Sequence, residues 1–223
     1  MSTKVAIICE GPIDHVLLAP LLARIAQEKA RFRWPVVTDD TAEILPIRKR
    51  GFGGVLVKVR ALVQLLSREP LGYDVFVILL DRRTRAVQAE VRRLIGRKQR
   101  FVLGIAIEEI EAWWLGDRTN TLAWTGYTSG LPSGCRYADP KYHAEGDGEP
   151  KKTLNELTEL SDRFERVYGE GDAELARQFA EDHWEHNARL DEIASQCSGG
   201  FGRFQRDMTN AFRGAKARAG RLF

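Results

Sequence analysis

Three short, mostly apolar runs rich in β-branched residues stand out in the first half of the chain, and a carboxylate follows each of them. The runs are residues 4–9, followed by Glu10, residues 74–80, followed by Asp81, and residues 101–107, followed by Glu108. Continuous apolar runs of this length are typical of strands that are buried on both faces of a sheet. We therefore expect three strands that each carry an acidic side chain to the same edge.

Helical periodicity separates these runs. Apolar residues recur at helical spacing in residues 14–29, 55–67 and 86–98, and a weaker strand pattern lies at 34–37 and 43–47. The alternation of strands and helices predicts an α/β fold with a mainly parallel sheet and right-handed crossovers. In such sheets ligands bind outside the carboxyl ends of the strands, which is the edge where we expect the acids.

The composition changes after this region. Residues 119–150 interleave Gly, Pro, Ser, Asp and Tyr without periodicity, which predicts a loop or linker. Helical periodicity returns at residues 151–168, 173–186, 188–196 and 201–217. We expect an α/β domain at 1–118, a linker at 119–150, and a helical C-terminal region at 151–223 packed on the first domain.

Charge and composition add limits. A chain of 223 residues with 43% hydrophobic content has enough apolar residues for a sizeable core. The net charge of +3 is mild and by itself does not indicate a nucleic-acid partner. The distribution is uneven, however, because residues 82–100 contain eight basic residues and the single acid Glu90. This basic stretch is either a solvated helix face or a surface for a phosphate backbone.

Other classes of site and location are disfavoured. The three cysteines lack the CxxC spacing of a zinc site or the pattern of a disulfide framework. His183 and His186 share a predicted helical face without further ligands. No apolar run approaches the about 18 residues of a membrane helix, and the first residues begin a strand instead of a signal peptide. We expect a cytoplasmic protein that does not enter a membrane.

The acids at the predicted edge need a compensating charge. Glu10 and Asp14 lie four residues apart across a strand-to-helix turn, and Asp81 and Glu108 are expected nearby. Two like charges about 4 Å apart repel by roughly 4 kcal/mol at an effective dielectric near 20. Bound Mg²⁺ or Mn²⁺, which prefers hard oxygen ligands, offsets that repulsion. The acids also have simpler interpretations as helix caps or favourable charges in a helix's first turn.

Nearby residues extend this constellation. The basic residues that follow the second acid offer another way to compensate the charge; they are Arg82, Arg83 and Arg85. Glu108 and Glu111 are three residues apart and would share one face of a helix, which favours them over Glu109 as ligands. Trp113 and Trp114 are better explained as packing between the sheet and the C-terminal helices than as platforms for stacked bases.

Several motifs together resemble a known family. Glu10-Gly11 followed by Asp14, and an acidic turn after a later strand, look like the Toprim fold of topoisomerases, primases and OLD-type nucleases. The chain as a whole resembles the bacterial DUF4276 Toprim-like proteins over nearly its full length. The segments that carry the resemblance are Glu10-Gly11, residues 79–82, 106–117, 148–154 and 198–204, and the Glu-Ile-Glu-Ala-Trp-Trp motif at 109–114 is the most specific.

The resemblance implies a Toprim-like sheet with a helical appendage and Mg²⁺-dependent phosphodiester chemistry. If the roles of the family's residues are transferred to this chain, Glu10 is the general base or a metal ligand and Asp14 supports it. Asp81 is then the first acid of an Asp-x-Asp pair. Arg83 stands where that pattern has its second Asp, and a cation does not ligate Mg²⁺. Either one of Glu108, Glu109 and Glu111 completes the site, or metal binding has weakened.

Two functions follow from this resemblance. The first is a metal-dependent nuclease of DNA or RNA, as the effector partner of an ATPase in phage defence. In it Glu10, Asp81 and Glu111 position the metal and water. The phosphate-binding residues would be Arg82, Arg83, Arg85 and Lys152. The second is a non-catalytic module whose degenerate acidic edge no longer holds metal and which docks a partner protein or nucleic acid.

Overall fold

A four-stranded, all-parallel sheet forms the centre of the molecule. The computed structural model describes residues 2–31, 35–40, 51–68, 71–81, 85–96, 100–127, 130–131, 134–169 and 172–219. The strands are β1 (Thr3–Ile8), β2 (Val36–Asp40), β3 (Val75–Asp81) and β4 (Phe101–Ala106), and their spatial order is β2-β1-β3-β4. The predicted α/β fold with a parallel sheet flanked by helices and a C-terminal helical part is confirmed.

Burial along the strands follows from this order. The inner strand β3 is buried on both faces from Val75 to Leu80, as its continuous apolar run predicts. The edge strand β4 alternates between partly buried and buried residues. In the parallel register Phe76 lies opposite Phe101, and Asp81 lies opposite Ala106. The last residue of β3 is therefore an acid at the carboxyl edge of the sheet.

Ten α-helices surround the sheet within the described residues. They are α1 (Pro12–Arg24), α2 (Gly51–Leu66), α3 (Arg85–Ile95), α4 (Glu111–Gly116), α5 (Arg118–Thr125), α6 (Pro150–Glu159), α7 (Ala173–Phe179), α8 (Glu185–Asn187), α9 (Leu190–Gln196) and α10 (Phe201–Ala219). Helix α1 continues into a π-helical segment at Ile25–Lys29, and α7 into another at Ala180–Trp184. Short 3₁₀ turns occupy Arg136–Ala138 and Ala144–Gly146.

Two apolar layers cover the two faces of the sheet. One contains residues of α2 and α3, and the other combines α1 with the helices that follow β4. Trp113 and Trp114 are 0% exposed in the second layer. Trp113 stacks on Phe204 at a centroid distance of 5.3 Å, and Trp114 stacks on Phe179 at 4.5 Å. Their interpretation as packing residues is confirmed.

The segment at 119–150 is more ordered than a linker. Helix α5 covers its first residues, and Tyr137 is buried and donates a hydrogen bond to the Leu115 carbonyl oxygen at 2.6 Å. The expectation of a loop or linker is therefore wrong for the residues up to Thr125, which belong to α5, whereas turns and short 3₁₀ segments make up most of the described remainder. Its side chains contribute to the same apolar layer as α1 and the later helices.

The last long helix, α10, lies directly against β4. A Cβ atom at Gly104 would come within 2.9 Å of Phe204 Cδ2 and 3.0 Å of Leu79 Cδ1. Glycine at this position of the strand therefore allows the close approach of α10. Among the described residues, the helices are all too short or too polar to span a bilayer.

Candidate functional site

A pocket of about 250 Å³ opens at the carboxyl ends of β1 and β3 and is lined by acidic side chains. The acids are Glu10, Asp14, Asp81, Glu109 and Glu111, and Lys151 is the cation among the described lining residues. Four of the predicted site acids are thus brought together from the turn after β1 and from α1, β3 and α4. Their chemical roles stay predictions.

The turn between β1 and α1 holds two of these acids. Asp14 Oδ2 accepts hydrogen bonds from the backbone N–H groups of Glu10 at 3.1 Å and Gly11 at 2.9 Å. Asp14 lies in the first turn of α1, where a carboxylate satisfies backbone donors and suits the helix dipole. Burial, together with the charge of Glu10, nevertheless raises the pKa of Asp14 to about 6. Asp14 fixes the turn that presents Glu10.

Among the acids of the pocket, Asp81 has the most strongly raised pKa. Burial, together with the negative charges of Asp14, Glu10, Glu109 and Glu111, raises the pKa of Asp81 to about 8. The backbone N–H of Asp81 donates to Glu10 Oε1 at 3.4 Å, and burial also raises the pKa of Glu10. The ends of β1 and β3 are therefore in direct contact through this pair.

Glu111 is the most buried acid of the pocket, at 2% exposure. The hydroxyl of Tyr168 donates a hydrogen bond to Glu111 Oε1 at 2.9 Å, and Lys151 Nζ lies 3.9 Å from the same oxygen. Burial raises the pKa of Glu111 to about 7 in spite of both neighbours. Lys151 Nζ also lies 3.3 Å from Glu109 Oε1.

Lys151 and Tyr168 were not predicted as site residues. Lys151 and Lys152 form an unfavourable pair of cations in the first turn of α6, a signal that pointed to this segment. The structure places Lys151 in the pocket, while Lys152 is exposed and lies 3.8 Å from Glu149 Oε2. Nothing local in the sequence marks Tyr168, because its contact with Glu111 bridges residues far apart in the chain.

The start of α6 is fixed by a buried carboxylate. Asp147 Oδ2 accepts hydrogen bonds from Thr153 Oγ1 at 2.5 Å and from the Tyr142 hydroxyl at 2.9 Å. Asp147 Oδ1 accepts from the Glu149 backbone N–H at 2.9 Å. These contacts hold the turn before Pro150 and so determine where Lys151 projects.

The expectation that Glu108 and Glu111 share a helical face is wrong. Helix α4 begins only at Glu111, and Glu108 has a backbone φ of 65°. A left-handed residue reverses the direction of the chain, so the helical spacing argument does not apply across it. Glu109 lines the pocket in its place, and Glu108 is not among the described lining residues.

The basic residues predicted to hold phosphates are placed only in part. Arg85 is exposed at the first position of α3 and is not among the residues that line the pocket. Arg82 and Arg83 lie outside the described residues. The position of the second acid of the Asp-x-Asp pair is that of Arg83, so it lies outside them too.

The donor chemistry of the pocket fits a hard divalent cation. Carboxylate oxygens are the ligands that Mg²⁺ and Mn²⁺ prefer, and a cation would offset both the burial and the repulsion that raise the pKa of Asp81. Within the described ranges, however, no three acidic, His or Cys side chains are gathered closely enough to hold an ion as they stand. Binding of an ion would therefore require acidic side chains of the pocket, such as those of Glu10 and Asp81, to move closer together.

Comparisons with known proteins add no relative. A scan against protein-family models finds no match, and searches of curated proteins and of solved structures find none either.

Proposed function

We propose that this protein is a divalent-metal-dependent hydrolase of phosphodiester bonds in DNA or RNA. The observation that carries the proposal is the convergence of five carboxylates on one pocket at the carboxyl ends of parallel strands. Ligand sites of open α/β sheets lie at this edge. Burial and mutual repulsion raise the pKa of several of these carboxyl groups, and groups with perturbed pKa values cluster at functional sites.

Glu10 and Asp81 are the residues best placed to hold Mg²⁺ or Mn²⁺. Their strands end side by side, and the backbone N–H of Asp81 donates a hydrogen bond to the side chain of Glu10. Glu109 and Glu111 line the same pocket and supply further oxygen donors. The bound cation would polarise a phosphoryl oxygen and favour deprotonation of a water nucleophile.

The remaining residues of the pocket orient these groups and balance charge. Asp14 holds the Glu10 turn through its two backbone hydrogen bonds. Tyr168 fixes one oxygen of Glu111, which leaves the other oxygen for the pocket. Lys151 offers a cation within reach of a substrate phosphate, because its ammonium group lines the pocket beside Glu109.

A specific contact favours the second candidate function, a non-catalytic binding module. Lys151 lies within 4.0 Å of carboxylate oxygens of both Glu109 and Glu111, so the protein already neutralises part of the acidic charge by itself. In such a module the pocket would be a structural ion-pair cluster, and the chain would act by docking a partner protein or nucleic acid. An ATPase partner in phage defence belongs to the nuclease candidate and rests on the sequence resemblance alone.

Cleavage assays separate the two candidates. The purified protein is incubated with plasmid DNA, single-stranded DNA and RNA in the presence of Mg²⁺, Mn²⁺ or a chelator. We expect metal-dependent cleavage that Glu10→Ala and Asp81→Asn abolish. Glu159→Gln, which removes an exposed carboxylate from the same helix as Lys151, should cleave like the wild type. Absence of cleavage together with absence of Mn²⁺ binding by calorimetry contradicts the hydrolase and leaves the binding module.

A further inference from the structure

The edge strand β4 presents backbone groups that have no hydrogen-bond partner among the described residues. The Phe76 N–H donates to the Arg100 carbonyl oxygen at 2.7 Å, and Phe76 pairs with Phe101. In a parallel ladder the residues of a strand alternate in the direction of their N–H and C=O groups. The groups of Phe101, Leu103 and Ile105 therefore point away from β3. Among the described residues, no hydrogen bond to the outward groups of Phe101 or Leu103 is formed.

This edge opens into a groove between two helices. The groove has a volume of about 480 Å³ and runs between α3 and α10, with β4 as its floor. Apolar side chains of alternate strand residues line it, namely Phe101, Leu103, Ile105 and Ile107. At its far end a Cβ atom on Gly200 would lie 2.8 Å from the Ile105 carbonyl oxygen, so the turn before α10 closes the groove there. The open part of the edge is thus Phe101 to Leu103.

An apolar edge strand of this kind usually needs protection. Natural sheets cover such edges or interrupt them with Lys, Pro or bulges, because an unpaired strand recruits another strand. The six residues of β4, Phe101 to Ala106, contain no charged residue and no proline. The strand is therefore suited to pairing with an added strand, a mode of recognition that relies on main-chain hydrogen bonds and alternate side-chain contacts.

The rim of the groove is basic, and this charge favours an added strand with acidic side chains. Arg92 on α3 and Arg203 on α10 are exposed and line opposite sides of the groove, with Asp207 as the acid on the α10 side. Arg100 is exposed at the entrance of β4. A second copy paired through β4 would bring the basic α3 helices of both copies together, which opposes such a dimer. An acidic segment meets complementary charge on both sides.

We propose that the β4 edge is a docking site for an extended, acidic segment of a partner protein, which adds to the sheet as a strand beside β4. The site is separate from the carboxylate pocket, since the two share no lining residue. The proposal therefore stands whether or not the chain hydrolyses phosphodiesters.

Peptide binding tests this site directly. The probes are short fluorescent peptides in which valine alternates with glutamate or, as a control, with lysine. The glutamate peptide should bind at submillimolar concentration, and the lysine peptide at least about tenfold more weakly. Methylation of the peptide's backbone nitrogens should abolish binding, because it removes the donors that pair with β4. No binding of the glutamate peptide at about 1 mM, or equal binding of all probes, overturns the proposal.

Variants of the chain locate the binding. The double substitution Arg92→Glu and Arg203→Glu should weaken binding of the glutamate peptide by about tenfold. Arg206 is an exposed arginine of α10 outside the groove, so Arg206→Glu should leave the affinity unchanged. Leu103→Pro removes an outward N–H without breaking a hydrogen bond to β3, and it should abolish binding with the fold retained by circular dichroism. Equal loss in Arg206→Glu overturns the assignment to the groove, as does unchanged affinity in the double variant.

Two further outcomes would contradict the proposed occupant. Sedimentation that shows a dimer of the wild type, lost in the Leu103→Pro variant, would assign the edge to a second copy of the chain. Competition by single-stranded DNA that is as strong as competition by the unlabelled glutamate peptide, and lost in the double arginine variant, would assign the arginines to nucleic acid.

Discussion

Neutralising Asp81 should stabilise the protein in the absence of metal. In the folded state burial and four neighbouring carboxylates raise the pKa of Asp81 to about 8. A carboxyl whose pKa is raised on folding stabilises the protein below its unfolded-state pKa, and that contribution is lost as the pH rises through the folded-state value. Asp81 therefore makes the free energy of unfolding fall between about pH 4 and pH 8. Asp81→Asn removes this dependence.

The size of the effect follows from the shift. A rise of the pKa from 3.8 to about 8 corresponds to about 6 kcal/mol at about 1.36 kcal/mol per unit. The other carboxylates of the pocket share the same repulsion, and a pocket open to water screens part of it, so we expect about 2 kcal/mol at pH 8. For a chain of this length that raises the melting temperature by about 4–8 °C.

Denaturation with urea or heat, followed at intervals from pH 4 to pH 9 in chelator, measures this gain. Asp81→Asn and the wild type should have similar stability near pH 4 and diverge as the pH rises. Glu159→Gln, which neutralises an exposed carboxylate, should follow the wild type throughout. A variant that is less stable than the wild type at pH 8, or one with an unchanged pH dependence, would refute the electrostatic description of the pocket.

Three further substitutions probe the surroundings of the pocket and the packing of α10, and a fourth, in α2, is the control for the third. Lys151→Met removes the ammonium beside Glu111 and should cost about 1–3 kcal/mol of stability at pH 8, measured by urea denaturation in chelator. Tyr168→Phe removes the hydrogen bond that holds down the pKa of Glu111, so the acid limb of the pH profile of cleavage should move to higher pH. Gly200→Ala should cost about 2 kcal/mol, because its Cβ would lie 2.8 Å from a backbone oxygen, whereas Gly53→Ala, with open space around it in α2, should stabilise by about 0.5–1 kcal/mol.

Each of these has an opposite result that counts against it. Unchanged stability of Lys151→Met would mean that the ammonium is fully solvated. An unshifted acid limb in Tyr168→Phe would remove Glu111 from the ionisations that control cleavage. Equal melting temperatures for Gly200→Ala and Gly53→Ala would show that the turn before α10 accommodates a Cβ atom at residue 200 without strain.

The strand and helix order was predictable because it rests on local patterns. Runs such as 75–80 are continuous, apolar, short and rich in β-branched residues, a combination typical of a strand covered on both faces. The carboxyl ends of neighbouring parallel strands meet at one edge, so Glu10 and Asp81 could be placed together without any contact information. The same reasoning located Asp14, because a helix's first turn follows the strand at once.

The rest of the pocket depends on conformations and contacts that local patterns do not encode. The left-handed backbone of Glu108 is rare for a residue with a side chain, and it decides that Glu109 enters the pocket. Tyr168 reaches Glu111 across 57 residues of sequence. The choice of Lys151 over Lys152 depends on how the Asp147 contacts set the first turn of α6. These features therefore depend on the tertiary structure.

Calorimetric titration of Mn²⁺ into metal-free protein tests the central claim most directly. The wild type should bind the ion with a measurable heat at pH 8, and Asp81→Asn and Glu10→Ala should lose most of that binding, while Glu159→Gln retains it. Binding of Mn²⁺ that is the same in all four proteins, or no binding by the wild type, would contradict the claim that the acidic pocket at the ends of β1 and β3 is a metal site.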